Sequence, residues 1–288
     1  LKSWLAPYVE ANPEMLTIYK DRVANYRMSA TSLTSFVDII YAGPQAFFER
    51  EILKAPFEAE NEALALGNLV HAVFEAVTVR NISDEEAVQL YLEELEKKAL
   101  DINAKERLRE KGAAAIATSL NRFGTILRQG KAEVKLEREG ITIEGVPILG
   151  RLDHIVIDEE AKTIEIYDFK TSKYHGEKWQ SHPTLYKYML QLGFYKLLLN
   201  NSPTYNEYTV TKGHILFVSP DNDGEVYDKV YDFSETDEKE LISIIQAIYQ
   251  QIITLNFKDD PEIFVKADKN KTLKDIKNFI MLLLEKNR

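Results

Sequence analysis

Two short runs of β-branched and apolar residues, Gly150-Arg151-Leu152-Asp153-His154-Ile155-Val156-Ile157 and Ile164-Glu165-Ile166-Tyr167-Asp168-Phe169-Lys170-Thr171, flank the turn-forming stretch Asp158-Glu159-Glu160-Ala161-Lys162. The pattern predicts two adjacent antiparallel strands. Side chains alternate along a strand with a period of two, so Ile164, Ile166, Asp168 and Lys170 share one face. That otherwise apolar face ends in a carboxylate and an ammonium. Breaks of this kind concentrate at functional sites. An ion pair closing a strand end is the other reading of the same residues.

Metal-assisted hydrolysis is a chemistry that uses such a pair. Asp153 and Asp168, one from each strand, offer hard oxygen ligands to Mg²⁺ or Mn²⁺. Lys170 is placed to orient or deprotonate an attacking water and to steady charge on a phosphate.

The rest of the chain restricts the possibilities. With no cysteine among 288 residues, disulfides, thiolate metal sites and cysteine-ligated iron–sulfur clusters are excluded. No run approaches eighteen apolar residues, so no membrane partner and a cytoplasmic location are expected. The net charge of 36 − 46 = −10 argues against a broad basic face on duplex nucleic acid, although Lys170, Lys173, Lys178 and Lys187 cluster near the hairpin. The chain starts at Leu1 rather than Met, as expected of a domain cut from a longer protein.

Residues 1–27 read as a helical lead-in with Trp4, Leu5, Tyr8 and Tyr19 as anchors, and residues 28–288 as one domain. Ser32 is the expected N-cap of a helix running to Gly43-Pro44. Asn61 to Val79 has the apolar coverage of a buried helix, in which Gly67 would admit a close backbone approach. It carries His71, with Glu75 one turn on as a possible orienting acceptor. Two helices fill residues 83–129. Strands at 133–137 and 141–143 lead into the hairpin, and Glu133 reads equally as a solvent-facing strand residue or as an acid near the metal. After Lys170 comes a polar loop with Tyr174, His175, Lys178, Trp179 and His182, suited to stacking and holding a single strand or simply to connecting elements. A helix at 185–199, a strand pair around Asp221-Asn222-Asp223-Gly224 and helices at 235–255 and 272–286 complete the chain. No P-loop is present, so an ATP-driven motor would belong to another domain or chain.

Gly150-Arg151-Leu152-Asp153 followed by Tyr167-Asp168-Phe169-Lys170-Thr171 resembles the core motif of the PD-(D/E)XK nuclease superfamily, and within it the RecB/AddB-like nuclease domains of helicase–nucleases. Three further stretches match in order. Ser29-Ala30-Thr31-Ser32-Leu33 with Pro44-Gln45-Ala46-Phe47 is similar to the opening of that branch. Gly67-Asn68-Leu69-Val70-His71 matches its G-x-x-x-H helix, and Gln191-Leu192-Gly193-Phe194-Tyr195 its Q-x-x-x-Y helix.

The resemblance implies an α/β fold, a restriction-endonuclease-like central mixed sheet flanked by helices, with a helical N-terminal extension. It implies that His71, Asp153, Asp168 and the Phe169 carbonyl hold Mg²⁺ or Mn²⁺; the absence of cysteine leaves no ligands for an Fe–S cluster. Lys170, Asp168 and Asp153 would be catalytic; Gln191 and Tyr195 would contact the DNA backbone or order Lys170, and Lys173 would contact DNA. The implied activity is hydrolysis of DNA, mainly from the ends of single strands, beside a helicase domain or subunit in double-strand-break repair. The rival is a catalytically inactive module of the same fold that binds DNA or braces a helicase.

Overall fold

The computed structural model describes residues 13–55, 61–174, 176 and 182–287. Trp4, Leu5 and Tyr8, and His175, Lys178 and Trp179 of the polar loop, lie outside the described residues. The chain forms two compact units that interleave along the sequence: residues 1–57, 140–149 and 239–288, and residues 58–139 and 150–238.

The first unit contains helices α1 (Pro13–Ala24), α2 (Ala30–Val37) and α3 (Gly43–Phe47), then a π-helical turn at Phe48–Ile52. Its ribbon pairs β2 (Thr142–Ile143) with β3 (Val146–Pro147). Phe36, Phe47, Phe48, Phe257 and Phe264 pack edge-on or tilted, with ring centroids 5.4–6.3 Å apart, geometries that suit the aromatic quadrupole. The cap of α2 is Ser29, not Ser32: Ser29 Oγ accepts from Ser32 N at 3.0 Å. Both serines are cap formers, and the chain is already helical at Ala30, which places Ser32 in the first turn. The helix stops at Val37, and Asp38 caps the next turn by accepting from Ile40 N and Tyr41 N. Gly43-Pro44 opens a new helix instead of closing the old one.

The second unit is built on a five-stranded mixed sheet of order β1-β4-β5-β6-β7, formed by Lys131–Lys135, Arg151–Asp158, Thr163–Lys170, Thr209–Phe217 and Tyr227–Asp232. Only the β5–β6 pair is parallel among the described strands. Its helices are α4 (Glu62–Arg80), α5 (Asp84–Glu96), α6 (Ile102–Arg128) and α7 (Pro183–Asn200). Asn61, Ser83 and Asp101 cap the first three, each side-chain oxygen accepting from the third residue on. Helices α8 (Glu235–Thr254) and α9 (Leu273–Lys286) follow, the latter wholly within the first unit.

Tyr167 and Phe169 of β5 enter the apolar cluster formed with α4, α5 and α6. Alternation turns Asp168 and Lys170 to the other face, where α7 packs. At Gly150 a Cβ would fall 2.4 Å from Leu198 Cδ1 on α7, so any larger residue would have to displace that buried side chain. Among the described residues a Cβ at Gly67 would meet only Thr171 Oγ1, at 3.9 Å, so the close backbone approach expected at that glycine is not seen. Helix α4, at 19 residues, has the length and apolar composition of a membrane-crossing helix. Here its Leu66, Leu69, Val70, Val73, Phe74 and Val77 are spent on the core cluster.

One packing contact is a sharp test of this arrangement. Gly112 on α6 faces the buried Tyr91 of α5, whose hydroxyl donates to Leu108 O at 2.8 Å, and a Cβ there would sit 1.9 Å from the ring. Gly→Ala inside a helix ordinarily stabilises by about 1 kcal/mol. Overpacking costs about 1–3 kcal/mol, and a hydrogen-bonded ring cannot step aside cheaply. Gly112→Ala is therefore expected to lower the urea midpoint with an unchanged slope; a raised midpoint would show that α5 and α6 do not meet this closely.

Candidate metal and hydrolytic site

The register pairing His154 with Tyr167 brings the start of β4 beside the end of β5. Asp153 and Asp168, one residue beyond that pair, thus become neighbours on one sheet face. Asp153 Oδ2 accepts from Phe169 N at 2.9 Å. An extended residue sends its N–H and C=O toward the same neighbouring strand, so the Phe169 carbonyl also turns toward β4. His71 belongs to α4, which packs with the opposite face, yet its Nδ1 lies 3.4 Å from Asp153 Oδ1 and its ring stands edge-on to Phe169. Glu75 makes no hydrogen bond to His71 among the described residues; Asp153 is the group that orients the imidazole.

Glu133 completes the cluster. In the pairing of β1 with β4, Ala132 faces His154 and Val134 faces Leu152, which leaves Glu133 across from Asp153. Its φ of +52° interrupts an otherwise extended strand. A non-glycine residue in this left-handed region costs about 1–3 kcal/mol and persists where its surroundings hold it. Here Arg151 clamps the carboxylate. Ligand atoms of His71, Glu133 and Asp153 all lie within 4.8 Å of one another. The sequence left Glu133 as a strand acid with two readings; the turn of its backbone toward Asp153 has no signature in the residues themselves.

Asp168 stands in a second, interlocked network. It is 2 % exposed, and its Oδ2 lies 2.7 Å from Lys170 Nζ. Gln191 Nε2 donates to Asp168 Oδ1 at 2.9 Å and to Tyr195 Oη at 2.8 Å, while Gln191 Oε1 accepts from Lys170 Nζ at 3.0 Å. Reversing that amide would set oxygen against carboxylate and NH₂ against ammonium, so the charges themselves fix its orientation. Gln191 and Tyr195 thus meet the catalytic candidates directly, four residues apart on one side of α7. Lys173 points elsewhere, to Asn222 Oδ1 at 3.4 Å in the turn between β6 and β7.

Burial and neighbours set the protonation states. Asp168 is pushed up to about 6, first by burial and then by the Asp153 charge, against the pull of Lys170. Burial disfavours the Lys170 ammonium, but Asp168 and then Asp153 outweigh it and hold its pKa above the ordinary lysine value. Burial likewise opposes charge on Asp153, yet His71 and Lys170 keep it below the usual carboxylate range. His71 is held above its ordinary value because Asp153 overcomes burial. Glu133 is raised, chiefly by burial.

These donors suit a hard divalent cation, since they combine carboxylate oxygens, an imidazole and a strand carbonyl. Asp168 Oδ2 is buried and takes no well-directed hydrogen bond despite the nearby ammonium, which leaves an acceptor for a cation. Below about pH 6 Asp168 carries a proton, and His71, held above its ordinary value, carries one as well; a metal would displace both. Affinity for Mn²⁺ or Ca²⁺ is therefore expected to climb as pH rises through about 6, by about tenfold per unit for each proton released. Calorimetric titration from about pH 5.5 to 8 reads this; an affinity flat across that range would remove both groups from the ligand set.

No curated protein matches the chain in sequence. Among solved structures, a candidate exonuclease from Eubacterium rectale superposes with a TM-score of 0.50 at 12% identity, covering 85% of this chain and 87% of that one. That likeness concerns the fold. In sequence, residues 27–263 match the PD-(D/E)XK nuclease superfamily, including every strand and each residue of the two networks. The chain belongs to the PD-(D/E)XK nuclease superfamily.

Proposed function

We propose that this chain is a Mg²⁺- or Mn²⁺-dependent deoxyribonuclease of the RecB/AddB-like branch, acting from the ends of single strands during recombinational repair in the cytoplasm. The observation that carries the reading is the meeting of the His71–Glu133–Asp153 cluster with the buried Asp168–Lys170 pair at one end of the sheet. His71, Asp153, Asp168 and the Phe169 carbonyl, with Glu133, would hold the ion. When bound, it supplies Lewis-acid polarisation of the phosphate and a more acidic water.

The chain's own groups do the rest. Lys170, kept as an ammonium by two carboxylates, acts as a donor and not as a base: it steadies charge on the phosphate and orients the water that displaces the leaving oxygen. Gln191 holds Lys170 and Asp168 at one separation, and Tyr195 holds Gln191. The Tyr195 phenol stays protonated, since burial and then the Asp168 charge push its pKa well up. The net charge of −10 leaves few surplus cations for nucleic acid. A helicase domain or subunit would deliver the strand, raising its local concentration by tethering.

The test is incubation of the protein with end-labelled single- and double-stranded DNA in Mg²⁺, in Mn²⁺ and in chelator. Ion-dependent shortening of single strands from an end is expected. Intact DNA in both ions would favour the inactive binding module.

A further inference from the structure

A row of aromatic rings runs from Lys170 across the ends of β6 and β7. Tyr188, one turn before Gln191 on α7, lies under Lys170 Nζ at 4.5 Å. Its ring is tilted toward Phe217 at 6.3 Å. Phe217 packs against Tyr174 at 5.3 Å, and Tyr174 against Tyr227 at 5.0 Å. Lys229 Nζ stands 5.3 Å over the Tyr174 ring. Phe217 is fully buried and anchors the row to the sheet, while Tyr188, Tyr174 and Tyr227 are only half-buried.

We propose that this row, with Tyr188 as its principal member, is a nucleobase-stacking subsite that selects a single-stranded nucleic acid and seats one nucleotide beside the scissile phosphate. The inference rests on the nuclease reading above. Half-buried rings next to a cation that serves a phosphate are where the base attached to that phosphate would lie. Aromatic platforms with interleaved cations hold single strands in this way, without regard to base identity. Cations border the row at both ends. Lys170 stands over Tyr188, while Lys229 stands over Tyr174 and Lys173 and Arg122 lie against the Asp221–Glu225 turn, whose Asp221 accepts from Tyr227 Oη at 2.6 Å. In a duplex the same bases are stacked on their neighbours, and reaching Tyr188 would require unstacking them.

The experiment compares binding of a short labelled oligothymidine with that of the same backbone carrying abasic sites, in Ca²⁺. Wild-type protein is expected to prefer the base-bearing strand by about ten- to a hundredfold, the size of one stacked base. Tyr188→Ala and the bulkier Tyr188→Leu should lose that preference, while Tyr188→Phe keeps it. Equal binding of both strands by the wild type needs no variant and would overturn the subsite; so would a preference that persists in Tyr188→Ala or Tyr188→Leu. Cleavage in Mg²⁺ or Mn²⁺ is read separately. Cleavage without base preference sinks stacking alone, and base preference without cleavage in either ion sinks the nuclease reading alone.

Discussion

Lys170→Ala is expected to abolish measurable hydrolysis, lowering turnover by about 10²- to 10⁴-fold while the protein still binds a divalent ion. That loss corresponds to about 3–5 kcal/mol of barrier. It follows from where the ammonium sits: 2.7 Å from Asp168 and 3.0 Å from Gln191, beside the carboxylate cluster but contributing no ligand atom to it. A group that acts on the developing charge affects turnover more than binding. The substitution also leaves Asp168 buried without its cation, which costs stability in the metal-free protein. That cost should be smaller near pH 5 than near pH 8, because a carboxyl already raised to about 6 by burial takes a proton instead. Thermal melts at both pH values, beside single-turnover cleavage and Mn²⁺ titration, separate the effects. Near-normal turnover would remove Lys170 from the chemistry.

Asp153→Asn should be comparably severe, through the metal. Asp153 is the common partner of His71 and the Phe169 amide, and Glu133 stands across from it. Asparagine preserves the shape and can still accept from Phe169 N, so the fold should survive. Removing the charge takes away a ligand, and the loss of metal affinity should exceed the about 10- to 100-fold typical of groups that merely support a ligand. The His71 pKa should fall as well, since Asp153 is what holds the imidazolium against burial. A histidine NMR titration reads that shift without any metal present. Unchanged metal affinity together with an unchanged His71 titration would mean that Asp153 is a structural cap on β5 and no more.

Much of this site was legible in the residues because it sits on regular structure. The period of two placed Asp168 and Lys170 together, and the observed sheet has β4 and β5 antiparallel as the hairpin pattern required. The helix bearing His71 runs from Glu62 to Arg80, close to the span read from its apolar coverage. The mixed sheet flanked by helices was likewise legible, through the resemblance in its ordered motifs. What escaped depends on backbone excursions or on assembly from distant segments. Glu133 faces Asp153 through a left-handed conformation that glutamate rarely adopts, and no residue type announces it. Ser29 and Ser32 are equivalent cap formers, and only the position of the first helical turn distinguishes them. The aromatic row draws one ring each from α7, β6, β7 and the loop after β5, so no local pattern contains it. Gln191 and Tyr195 had two readings, DNA contact or ordering of the lysine; their hydrogen bonds run to Asp168, Lys170 and each other.

The most direct test is a crystal soaked in Mn²⁺, read by anomalous scattering. The expected result is a peak at the end of β5, with oxygens of Asp153 and Asp168 about 2.0–2.6 Å away. A His71 ring nitrogen should lie in the same shell, and Lys170 Nζ should stand outside it. A peak bound elsewhere, or none at saturating Mn²⁺ with the Lys170–Asp168 pair still closed, would contradict a metal-dependent hydrolytic centre here.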